Sequence, residues 1–240
     1  METESLALLF LASFLAATLS AIAGFGGALL LIPILANTVG IKAAIPVLTI
    51  AQVFGNASRV WFGRRQLQWK PITYFLLTAI PLAIAGSYGF TRVDGDNIKF
   101  GVGILLILIV VYRRTNIKSI ALGEKGMLAA GMITGFLSGL AGSAGPLGAA
   151  FFLGLNLTPA AYIASEAFTA LVMHLVKIVV YKRYSLIQLP ELLLGVFAGI
   201  AMIFGSWAGK KIVSTLNRKT FVLLVEALLI ISAFQLILKF

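Results

Sequence analysis

The chain has no cysteine, a single histidine and only eight acidic residues in 240. Without cysteine there can be no disulfide, thiolate metal site or iron–sulfur cluster. One histidine is too few for a zinc centre, which sets aside an intramembrane metalloenzyme. Long polar stretches are also missing. The longest polar connection, Arg113 to Lys125, leaves no room for a soluble catalytic domain. No enzyme activity, cofactor or metal is therefore expected. The first apolar run follows Met1-Glu-Thr-Glu4, lacks a basic leader and is far longer than a signal-peptide core, so it is expected to remain as a membrane segment.

What the chain does have is apolar surface. It is 60% hydrophobic and 11% charged, with a mean hydropathy of +1.03, where soluble domains run near about half apolar and a quarter charged. Eight hydrophobic segments are expected, at roughly 5–36, 41–62, 71–90, 98–112, 126–155, 159–181, 189–208 and 220–238. Most reach the ~20 residues that span a bilayer core, and 98–112 is short. The fold class is thus an all-α, multi-pass integral membrane protein with a single transport domain. The net charge of +11 sits in short loops between apolar runs. That distribution belongs to membrane topology and not to nucleic-acid binding.

Two stretches read as copies. Ser20-Ala-Ile-Ala-Gly-Phe-Gly-Gly27 recurs as Ser138-Gly-Leu-Ala-Gly-Ser-Ala-Gly145, 118 residues later. Both lie in segments too long for one span and too short for two, so each is expected to be broken or re-entrant. Gly86-Ser87-Tyr88 matches Gly205-Ser206-Trp207, and Pro71 matches Pro190. A polar stripe follows each break: Gln52, Asn56 and Arg59, against Ala170, His174 and Lys177. The duplication predicts two repeats, 1–118 and 119–240, of about four hydrophobic segments each. Paired glycine-interrupted segments mark transporters whose site lies between the repeats. The cations do not separate parallel from inverted repeats, because either arrangement places 12 Lys+Arg on one face and 7 on the other. Inverted repeats, with the N-terminus outside, are preferred because they accompany broken helices.

These features resemble the TauE/SafE family of anion exporters. The residues carrying the likeness are Gly24-Phe-Gly-Gly27 with Pro33, and Gly142-Ser-Ala-Gly-Pro146. The second motif departs from the first, with Ala144 at the middle glycine and Pro146 directly after. The resemblance spans about Leu6 to Leu238. It implies export of sulfite, sulfoacetate or related sulfonates and carboxylates from the cytoplasm, across the inner (cytoplasmic) membrane and without ATP.

An interrupted helix frees backbone N–H groups that an anion can satisfy, and the helix that restarts presents the positive end of its dipole. Gly24, Gly26, Gly27, Gly142, Ser143 and Gly145 are therefore expected to bind substrate, with Thr49, Gln52, Asn56, Ser165 and Thr169 facing the same space. The plainer account is close helix packing through small residues. Glu166 and His174 are the candidate proton carriers, each set against a buried structural role. Arg59 and Lys177 are either substrate-attracting cations or, slightly favoured, snorkelling helix ends. Glu226 reads as a structural hydrogen bond or dimer contact, which leaves a homodimer open. Asp94-Gly-Asp96-Asn97 reads as a turn, and Gly195 and Gly199 as packing positions. The function expected is a secondary transporter driven by a proton gradient or the membrane potential. The alternatives are an anion channel and a non-transporting scaffold. Its expected partners are the lipid bilayer and the small anion itself.

Overall fold

The computed structural model of the chain describes residues 3–92 and 123–237. The segment 98–112, the Asp94–Asn97 turn and most of the connection between Arg113 and Lys125 lie outside the described residues. Every described element is helical: α1 (Thr3–Ala23), α2 (Gly27–Val39), α3 (Ile41–Gly63), a 3-10 turn (Arg64–Gln66), α4 (Trp69–Phe90), α5 (Gly123–Ala141), α6 (Gly145–Leu153), α7 (Pro159–Arg183), α8 (Leu189–Val213) and α9 (Arg218–Ile237).

Local chemistry sets several of these boundaries. Thr158 caps α7 by accepting a hydrogen bond from Ala161 N (3.3 Å), and Pro159 occupies the first turn. Gln188 and Glu191 form a capping box at the start of α8, beside Pro190. The segments 5–36 and 126–155 each divide. α1 stops at Ala23 and α2 opens at Gly27, while α5 stops at Ala141 and α6 opens at Gly145. Gly24, Gly26 and Gly142 hold φ of +87°, +106° and +76°, a region that costs other L-residues about 1–2 kcal/mol.

Four helices are long and apolar enough to cross a membrane: Glu4–Ala23, Trp69–Phe90, Pro159–Arg183 and Leu189–Val213. α3 has the length, at 23 residues, but it carries Thr49, Gln52, Asn56, Ser58 and Arg59, all buried within the protein. Its polar stripe is sheltered by neighbouring helices, as an intramembrane polar face must be.

α3 and α7 run antiparallel through the middle of the molecule. Gly63 at the end of α3 meets Ala164 near the start of α7, and Ile45 near the start of α3 shares a buried cluster with Tyr181 near the end of α7. α2 folds back along α1, so that Leu9 and Leu35 share a cluster. Two helix pairs tie the first half of the chain to the second, and glycine permits both. A Cβ at Gly131, Gly135 or Gly139 of α5 would overlap the backbone of α4 at Phe75, Ala79 and Ala83. Gly205 and Gly209 of α8 press in the same way on the carbonyls of Phe14 and Thr18 in α1. Gly195 and Gly199 are packing positions as well, against Ile50 and Phe54 of α3. Such small-residue contacts let helices approach where no water drives them together. The ends of α3 and α8 lie at one face of the molecule, with Lys210 Nζ 5.1 Å from the Phe62 ring. The ends of α4 and α7 lie at the other, with the rings of Tyr88 and Tyr184 5.6 Å apart.

Candidate functional site

The two helix breaks meet at the α3–α7 crossing, where a Cβ placed on Gly145 would stand 3.5 Å from Phe25 Cβ. Between them lies a cavity of about 30 Å³, room for two or three waters at roughly 10–15 Å³ each. Its walls include Gly24, Gly26, Ser143 and Gly145 from the breaks, Gln52, Asn56 and Arg59 from α3, and Glu166, Thr169 and His174 from α7. At the start of α2 the Gly27 amide is taken by Ser20 Oγ, and at the start of α6 Pro146 has no N–H and Leu147 N bonds Ala144 O (3.0 Å); both helices open onto this space through Gly26 and Gly145.

Each break is held by a cation from the second helix after it, α3 in the first case and α7 in the second. Arg59 Nη1 donates to Gly24 O (2.6 Å), Ser20 O (3.2 Å) and Glu166 Oε2 (3.3 Å), and Nη2 donates to Asn56 Oδ1. Lys177 Nζ donates to Gly142 O (2.9 Å) and Ser138 Oγ (3.3 Å). Cation and glycine are 35 residues apart in both cases. Snorkelling, the role favoured by the sequence for Arg59 and Lys177, is therefore corrected. Arg59 is 5% exposed and Lys177 0%. Carbonyls left unpaired where a helix ends need donors, and these side chains lie close enough to supply them.

Four residues of the cavity wall carry a buried polar atom with no hydrogen-bond partner among the described residues: Asn56 Nδ2, Arg59 Nε, Thr134 Oγ1 and His174 Nδ1. Buried polar groups are nearly always paired, by protein or by a guest. Asn56 Nδ2 and Arg59 Nε are obligate donors, and Thr134 Oγ1 and His174 Nδ1 can donate as well, which suits an anion.

The remaining residues singled out by sequence stand just behind the wall. Gly27 N donates to Ser20 Oγ (2.9 Å), and a Cβ there would press on Gln52 Nε2. Gly142 carries the carbonyl that Lys177 grips. Thr49 turns its hydroxyl to Ile45 O of its own helix (2.8 Å), and Ser165 accepts from Gln68 N (3.0 Å) after the 3-10 turn. Neither lines the cavity, so the expectation that these two face it is corrected. Each hydroxyl is occupied by backbone nearer to it. Glu226 is half-buried on α9, away from the cavity wall.

Sequence reasoning passed over Ser20, Ser138 and Thr134 as site residues. The two serines carried a signal: each stands four residues before the break glycine in both copies of the motif. Thr134 carried none, since the matching position in the first copy is Ala16.

A second cavity, of about 230 Å³, opens on the other side of Arg59 toward the face holding Lys210, with Phe62, Gln66, Ala160 and Ser214 in its wall. Arg59 lines both spaces.

No curated protein and no solved structure matches the chain. A family model described as sulfite exporter TauE/SafE matches residues 9–236. With nearly its whole length matched and its helices apolar enough to cross a bilayer, this integral membrane protein belongs to the sulfite exporter TauE/SafE family.

Proposed function

We propose that the protein is a secondary exporter of a small oxyanion, with sulfite the best-fitting candidate, and that it binds the anion between its two helix breaks. The observation that carries this reading is the cluster of four unpartnered buried polar atoms facing two helix N-termini across one cavity. Four heavy atoms suit a space of about 30 Å³ better than a sulfonate with a long carbon tail. Gly24, Gly26, Ser143 and Gly145 would supply close backbone approach and hydroxyl or amide donors, while Asn56, His174 and Arg59 would supply side-chain donors.

Inverted repeats 1–118 and 119–240 are part of the proposal. They are supported by the antiparallel α3–α7 pair and by the proximity of Phe62 to Lys210. In that arrangement the face with Arg64, Arg65, Lys210 and Lys211 is the more cationic one. It would be cytoplasmic, in an inner membrane crossed several times. An inside-negative potential of about 100 mV favours the exit of one negative charge by roughly 2.3 kcal/mol. Uniport alone would then sustain efflux.

Radiolabelled sulfite flux from proteoliposomes tests the reading, with and without an imposed potential. Saturable flux that quickens when the potential expels anions is expected. Flux that never saturates would make the protein a channel, and absence of flux would leave a scaffold.

A further inference from the structure

Among the described residues Arg59 is the one that lines both the central cavity and the wider one that opens toward Lys210. An anion crossing between them would pass beside its guanidinium. That guanidinium is already engaged by a carboxylate, because Glu166 Oε2 stands 3.3 Å from Nη1, with both side chains 4% exposed. Among the described residues the second break has no such pair: Glu166 aligns with Leu48 at the 118-residue spacing, and Lys177 donates to a hydroxyl and a carbonyl.

Resting on the exporter reading, we propose that Glu166 is a specificity and coupling residue. The transported anion takes its place on Arg59, and the displaced carboxylate takes up one proton, so that anion and proton bind together.

The argument is electrostatic. Two anions on one buried guanidinium leave an uncompensated negative charge in a site with little water, which is costly. Adding one proton to Glu166 restores the balance. The Glu166–Arg59 ion pair is lost, an anion–Arg59 pair forms, and the site gains one anion and one proton. His174 is the other titratable group on the cavity wall, about two turns further along α7, but Glu166 is the one in contact with Arg59. Along α7, Tyr162 stands one turn before Glu166 with its hydroxyl on Ala23 O (3.0 Å), and His174 and Lys177 lie further on. α3 contributes Arg59, while α1, α5 and α6 bring only Ser20, Thr134, Ser138 and glycine or apolar residues to the cavity wall. No described residue of α4, α8 or α9 lines it. By reciprocity, a proton that favours the anion is favoured by it equally. Coupling therefore has one sign: proton and anion move in the same direction, and sulfite leaving as a dianion with its proton still carries one negative charge outward for the potential to drive.

Calorimetric titration of the purified protein with sulfite, in buffers of different protonation enthalpy, counts protons taken up per anion bound. Sulfite's own protonation is removed by subtracting the count for Glu166→Gln. Wild type should take up one proton more than the variant. Its sulfite affinity should also rise more steeply as pH falls, by up to about tenfold per unit. Infrared difference spectra of the wild type alone should gain a protonated-carboxyl band on sulfite binding, which keeps the test open if the variant does not fold. Sulfite binding with equal proton counts, or with no new carboxyl band, would overturn the proposal and spare the exporter reading. Failure of sulfite to bind wild type would sink both.

Discussion

At the first helix break a planar fork reaches four oxygens: Arg59 spans Gly24 O, Ser20 O, Glu166 Oε2 and Asn56 Oδ1. At the second a point charge reaches two, as Lys177 holds Gly142 O and Ser138 Oγ. Both clamps close a helix end, but only the first carries a buried counter-charge that a guest anion must displace. The two breaks are thus held alike and differ in what they leave free. Arg59 retains an unpartnered Nε–H and a wall on two cavities, whereas Lys177 is wholly enclosed. The difference follows from the donors, since arginine has five in a fixed fork and lysine three on one atom.

The largest effect should come from breaking the first clamp. Arg59→Ala leaves Glu166 buried without its partner and should cost about 3–5 kcal/mol, read as lost thermal stability in detergent, with sulfite flux abolished. Lys177→Ala exposes no opposite charge and should cost less. Equal losses would erase the asymmetry.

The glycines come next. Alanine at Gly24 or Gly142 must adopt positive φ, which costs about 1–2 kcal/mol. At Gly24 the new methyl also meets the Tyr162 ring at 2.5 Å, with that ring tethered to Ala23 O. At Gly142 it meets the branched end of Ile45 at 2.8 Å. Gly24→Ala should therefore lower the melting temperature more than Gly142→Ala, and the reverse order would show that the Tyr162 tether yields.

Serine should rank the breaks the other way. Ser138 Oγ receives a charged donor and Ser20 Oγ a neutral amide, contributions of about 1.5–3 against 0.5–1.5 kcal/mol. Ser138→Ala should be the more destabilising in parallel melts. The smallest effect is expected from Thr49→Val, whose hydroxyl bonds only its own helix in the contacts described. Flux in that variant should stay near wild type, and a large loss would return Thr49 to the site.

Much of this was legible in the sequence because it is written in local repetition. The glycine clusters at 24–27 and 142–145, and the stripes that follow them, repeat at a fixed interval, and the α1–α2 and α5–α6 boundaries fall on those clusters. The fate of Arg59 and Lys177 was less legible. Their partners lie 35 to 39 residues away, and helix-end position alone suggests exposure. The shared offset of 35 was the available signal, and it becomes meaningful only once a carbonyl at each break is seen to need a donor. The orientation of Thr49 and Ser165 was hidden for another reason. A hydroxyl on a polar face has backbone acceptors and donors nearer than any cavity, and helical periodicity does not rank them.

The glycine-lined pairs α1–α8 and α4–α5 also have a consequence for how the molecule is made. α1 reaches its partner only after some 190 further residues, from Ala23 to Val213, have been synthesised. At roughly 5–20 residues per second that is a wait of about 10–40 s. During this interval the face of α1 around Phe14 and Thr18 lacks the helix that will cover it. α4 is served sooner, by α5. The first half of the chain is therefore a dependent intermediate in the ribosome's timetable. A chain stopped before Leu189 should be a substrate for membrane quality control and not a stable half-protein.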